Sequence, residues 1–76
     1  MEYQHMKDML KQYIEEGTEE SLRDFYDAAF AYLSEYCTHE DEIEKFLDNT
    51  MYPELEENMD FDVTLDTIKQ FAESFV

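Results

Sequence analysis

One glycine and one proline, Gly17 and Pro53, are all the backbone punctuation in a chain of 76 residues. A β-rich fold of this length needs many reversals and draws its turns heavily from glycine and proline, so the scarcity argues against sheets. It also excludes a glycine-rich phosphate-binding loop. Helices remain. The expected fold class is all-α, a compact three- to four-helix bundle, with residues 1–76 forming one acidic helical domain. A chain this short buries only about 60% of its unfolded surface, which leaves no room for a second domain.

Hydrophobic spacing places the helices. Tyr3, Met6, Leu10, Tyr13 and Ile14 recur at helical intervals up to Gly17, predicting a first helix over residues 2–16. Thr18 reads as an N-cap, with Glu19 and Glu20 in the first turn where the helix dipole favours acid. The second helix is predicted over 19–37. Leu22, Phe25, Ala29, Leu33 and Tyr36 form its main stripe, while Tyr26, Ala28, Phe30, Ala31 and Tyr32 make its second half apolar almost all round. Such a helix is central to its bundle or pairs with another copy, so Tyr26, Phe30 and Tyr32 are the candidate contacts of a homodimer. Thr38-His39-Glu40-Asp41 fits a capping box ahead of Ile43, Phe46 and Leu47, predicting a third helix over 39–50 that breaks at Tyr52-Pro53. Pro53 then opens a short turn, and Leu65, Ile68, Ala72 and Phe75 fit a last helix starting near Asp62 or Thr64. Phe25, Phe30, Phe46, Phe71 and Phe75 are expected in the core.

Charge is the other constraint. The chain carries 21 Asp and Glu against five Lys and Arg, a net charge of −16, yet 43% of its residues are hydrophobic. Disordered acidic tails lack the six Phe and six Tyr found here, so the charge is expected on the outside of a folded body. Anionic lipid and nucleic acid would be repelled, which excludes direct nucleic-acid binding; a basic partner would be attracted. No run of about 18 apolar residues exists to span a membrane, and Met1-Glu2-Tyr3-Gln4 begins no basic-then-apolar leader. With a lone Cys37 that forms no internal disulfide, a cytoplasmic setting is expected.

Catalytic and metal chemistry find no footing in the residue pattern. His5 and His39 stand 34 residues apart with no HExxH motif, and Cys37 and His39 straddle a helix boundary where a nucleophile pair would not face itself. Asp60, Asp62 and Thr64 imitate the first ligands of a calcium loop, but Leu65 stands where the loop requires glycine and Phe71 where it requires glutamate. The expectation is a non-enzyme without cofactor or metal.

Between residues 40 and 66 lie eleven carboxylates (40, 41, 42, 44, 48, 54, 56, 57, 60, 62 and 66) and one base, Lys45. Glu40, Glu44 and Asp48 fall on one helical face at steps of about 5 to 6 Å, close to a row of phosphates. A weaker line, Glu20, Asp24 and Asp27, is interrupted by Arg23. The sequence therefore nominates Glu40, Glu44, Asp48, Tyr52, Glu54, Glu56, Glu57 and Asp60 as partner-binding residues.

In size, helicity and charge the chain resembles the DNA-mimic inhibitors of bacteriophages, of the anti-CRISPR, anti-restriction and uracil-DNA glycosylase inhibitor kinds. That resemblance is of class and not of motif. It implies a protein in the host bacterial cytoplasm that occupies the basic channel of a nuclease or CRISPR-like effector and excludes DNA or RNA. Locally, Tyr52-Pro53, the acidic stretch after it and Asp66-Thr67-Ile68-Lys69-Gln70-Phe71 resemble the nuclease-colicin immunity proteins over about a quarter of the chain, although Met51 stands where that family's Tyr-Pro element carries a second tyrosine. The immunity likeness implies Tyr52 as interface anchor, with Glu54, Glu56, Glu57 and Asp60 facing a basic toxin. A plain acidic adaptor docking through the second helix is the third reading.

Overall fold

The computed structural model describes residues 2–75. Its elements are α1 (Glu2–Glu16), α2 (Glu19–Ser34), α3 (Glu40–Phe46), a π-helical turn (Leu47–Met51), α4 (Tyr52–Asn58) and α5 (Phe61–Glu73). No strand occurs among the described residues, and because α3, the π turn and α4 run on without interruption, four rods make up the all-α bundle. None of these helices is long and apolar enough to cross a membrane. α1 and α2 pair along their lengths, and α5 crosses α1, α2 and the π turn.

The α1–α2 hairpin follows its sequence signals closely. Gly17 takes φ +66° and its N–H donates to the Tyr13 carbonyl, ending α1 in the left-handed conformation that glycine adopts without a Cβ penalty. Thr18 then caps α2: its Oγ1 accepts from the Ser21 N–H at 3.1 Å while Ser21 Oγ accepts from the Thr18 N–H at 3.2 Å. This reciprocal pair closes a capping box with serine in the place usually held by Glu or Gln. α2 stops at Ser34, three residues before the predicted end, leaving Tyr36 exposed in a turn and Cys37 buried just after it. The Cys37 thiol points to the His39 backbone carbonyl, with Sγ 3.6 Å from the oxygen.

Three local expectations fail further along. His39, not Thr38, is the N-cap of α3, and it makes no side-chain cap bond; Glu40, Asp41 and Glu42 face the amino end of the dipole instead. The helix does not break before Pro53, since Tyr52 holds φ −61°, ψ −49°. Its N–H donates to the Leu47 carbonyl, one residue beyond the α pattern, and the widened turn carries the chain into proline at the start of α4. A packing reason accompanies it. Ile43, Leu47, Met51 and Leu55 repeat every four residues and are all sealed from solvent. In a pure α-helix each four-residue step rotates the stripe by about 40°, carrying Leu55 well away from Ile43. The wider π turn rotates the stripe back, so one continuous rod keeps a single apolar seam. α4 ends at Met59 in the left-handed region (φ 48°), and α5 begins one to three residues earlier than predicted, with Asp60 as its N-cap.

Met6, Leu10, Phe25, Leu33, Ile43, Leu47, Met51, Leu55 and Ile68 form the centre of the core. Phe46 lies at its edge, stacked on Phe71 with centroids 4.1 Å apart. Phe25 and Phe46 are buried as expected, whereas Phe30 and Phe71 are only half-buried and Phe75 is 39% exposed at the end of the chain's last turn.

Candidate interaction surface

Carboxylates from two helices meet around a pair of tyrosines. Tyr26, midway along α2, and Tyr52, where the π turn passes into α4, stack with centroids 5.6 Å apart and planes 19° from parallel. Both rings are half-buried. A hollow of about 410 Å³ opens beside them, lined by Glu19, Leu22, Arg23, Asp27 and Asp48 as well as by both tyrosines. Asp48 also borders a neighbouring hollow with Tyr52 and Glu56, and a third with Asp41, Glu44 and Lys45. One exposed aspartate on the π turn thus borders all three depressions.

The tyrosines register that surroundings. Burial pushes the Tyr26 phenol above its ordinary pKa, and the carboxylates of Asp48, Glu44 and Asp27 push the same way because a phenolate there would face them. Burial likewise pushes Tyr52 up to about 12, followed by the Tyr26 phenol and then Asp48. Both rings therefore stay neutral at physiological pH, as hydroxyl-bearing aromatic faces inside a negative rim. Two of the five cations are turned elsewhere: the Lys7 and Lys69 ammonium groups lie 5.5 and 5.8 Å from the Tyr3 ring centre.

Of the eight partner-binding residues read from the sequence, the structure gathers Glu44, Asp48, Tyr52 and Glu56 here. Glu40 and Glu57 are exposed without lining these hollows. Glu54 and Asp60 are used within the fold. The Thr67 hydroxyl lies 3.0 Å from a Glu54 carboxylate oxygen and 3.0 Å from the Val63 carbonyl, tying α4 to α5. Asp60 Oδ1 accepts from the Val63 N–H at 3.0 Å. That cap also disposes of the calcium-loop pattern: Asp60, Asp62 and Thr64 occupy a helix cap and first turn, and Thr64 is buried. Among the described residues no three His, Cys, Asp or Glu side chains converge as a metal site.

The homodimer candidates separate too. Tyr26 belongs to the acidic surface, Phe30 packs half-buried against the core, and Tyr32 is only 7% exposed, its ring held 5.5 Å from Tyr3 and 5.3 Å from Tyr36. Tyr32 is therefore spent inside the protomer and offers no face to a second copy. Sequence reasoning missed the contribution of Leu22, Arg23 and Asp27 to the same surface as Asp48. The signal was the weaker line through Asp24 and Asp27; what it lacked was the rotation of α2 against the π turn. No family model, curated protein or solved structure matches the chain.

Proposed function

We propose that this protein is a non-enzymatic inhibitor whose acidic surface occupies the basic nucleic-acid-binding site of a target enzyme in place of the phosphate backbone. The observation that carries the reading is the convergence of Asp27, Asp41, Glu44, Asp48 and Glu56 from separate segments onto one face with only Arg23 and Lys45 among them. Ordinary solvated faces intersperse cations to relieve such crowding. Clustered carboxylates compete for the Lys and Arg groups that hold phosphates, and the affinity of such a complex falls as salt rises.

The test is capture from nuclease-treated bacterial lysate by the tagged protein, with elution by stepped salt and by competing duplex DNA. A nucleic-acid enzyme released by both, and no longer captured by the folded triple variant Glu44→Lys, Asp48→Lys, Glu56→Lys, supports the proposal. Capture that survives the reversal refutes it. The stacked Tyr26–Tyr52 pair favours a second reading, an immunity or antitoxin protein bound to a basic nuclease through an aromatic anchor. In that case Tyr52→Ala abolishes capture while moderate salt does not; a mimic releases its partner with salt and loses no more than about tenfold to Tyr52→Ala.

A further inference from the structure

We propose that the hollow between α2 and the π turn is a receptor for a single arginine side chain of the basic partner, with the guanidinium on the Tyr26–Tyr52 ring pair and its N–H groups directed to Asp48. The inference rests on the proposed function only in taking the partner to be basic.

Three features of the hollow select that ligand chemistry. Its volume of about 410 Å³ is enough to admit a long side chain. Its walls combine neutral tyrosine rings with the carboxylates of Asp27 and Asp48, and a planar guanidinium is suited to both: it stacks on an aromatic ring and presents paired N–H donors to a carboxylate. Leu22 supplies an apolar wall for the arginine's methylene stem. A lysine ammonium is a compact, strongly hydrated charge that gains less from a ring face, and a nucleotide would bring its phosphate against the carboxylate rim.

Arg23 is the cation of this hollow. It stands four residues after Glu19 and four before Asp27, the spacing at which oppositely charged helical neighbours meet, and it lines the same hollow. Its charge competes with a guest cation for the carboxylates of the hollow. Asp48 lines the hollow from the π turn, four residues before Tyr52.

The experiment is a titration of protein carrying ¹³C-labelled tyrosine with N-acetyl-arginine amide and, in parallel, N-acetyl-lysine amide at low salt, following the ring resonances by NMR. Saturable shifts at Tyr26 and Tyr52 are expected, with arginine about threefold tighter than lysine. Asp48→Asn and Tyr26→Leu should each weaken arginine by about three- to tenfold, and Asp48→Asn, at an exposed position, decides the matter where Tyr26→Leu fails to fold. Arg23→Gln should strengthen it by about threefold, whereas Lys11→Gln, an equal change in net charge on α1, should leave it unchanged. Silent tyrosine rings, equal affinity for the two amides, or equal gains from Arg23→Gln and Lys11→Gln would overturn the inference. Failure of the mimic reading has a separate signature: lysate capture insensitive to salt and DNA while arginine still titrates the rings.

Discussion

Added salt should stabilise this fold by about 4 kcal/mol between about 0.1 M and about 1 M, an effect that follows from charge and size together. The Cα extents of 32 × 25 × 20 Å give a mean half-width of about 13 Å, and carboxylates reaching roughly 4 Å further place the net charge of −16 on a sphere of about 17 Å radius. In water such a sphere holds about 12 kcal/mol of self-repulsion at a screening length of about 10 Å and about 5 kcal/mol at about 3 Å. The unfolded chain, with a radius of gyration of about 27 Å, holds about 5 and about 2 kcal/mol under the same conditions. Repulsion therefore opposes folding by about 7 kcal/mol at the lower salt and about 3 kcal/mol at the higher. The assay is urea denaturation followed by helical circular dichroism in sodium chloride. A companion variant carries Glu16→Gln, Asp24→Asn, Glu35→Gln and Glu57→Gln, all at exposed positions, and lowers the net charge to −12 (−16 + 4). Repulsion scales with the square of the charge, so its salt response should fall to roughly half. A denaturation midpoint indifferent to salt, or equal responses from the two proteins, would refute the argument. The sign matters for function as well. Salt should tighten the fold while loosening a partner held by charge, so partner release at high salt cannot be mistaken for unfolding.

Asp60→Ala should destabilise the protein by about 1 kcal/mol through loss of the α5 cap, measured as a lower urea midpoint, and should leave partner capture intact if that residue serves the fold alone. Thr64→Val should stabilise by about 1 kcal/mol, because the Thr64 hydroxyl is buried with no hydrogen-bond partner and valine keeps its shape; a lower melting temperature would count against this. Tyr52 is pushed up to about pH 12 by burial, the Tyr26 phenol and Asp48. The fold thus favours its neutral form: the contribution is complete below the unfolded phenol value of about 10 and is lost as pH rises from there through about 12. Difference absorbance at 295 nm between the native protein and Tyr52→Phe should place the missing ionisation near the upper value, and one near pH 10 would contradict the burial argument.

Periodicity alone placed α1, and Gly17 with Thr18 marked the α1–α2 boundary, because those signals act within a few residues of where they are read. The same locality explains the errors. Tyr52-Pro53 carries a strong local preference for a break, but Ile43, Leu47, Met51 and Leu55 all gain burial if the rod continues, and the π turn lets it continue. Thr38 matched a capping box on paper, but α3 begins at Glu40 with His39 as its N-cap and no side-chain cap bond.

By itself, the sequence determined an all-helical body with a large negative charge, since composition fixes net charge and helical spacing fixes which faces must be buried. It nominated the stretch from Glu40 to Asp66 without separating Glu44, Asp48 and Glu56, which face outward together, from Glu54 and Asp60, which are bonded within the fold. Only the tertiary structure decided that Tyr26 stacks on Tyr52 and that Asp27 and Asp48 share one hollow. Those residues lie 20 or more positions apart, on helices whose mutual rotation is set by core packing and by a single extra residue in the π turn. No local pattern encodes that rotation, because it is the bundle as a whole that minimises exposed apolar surface.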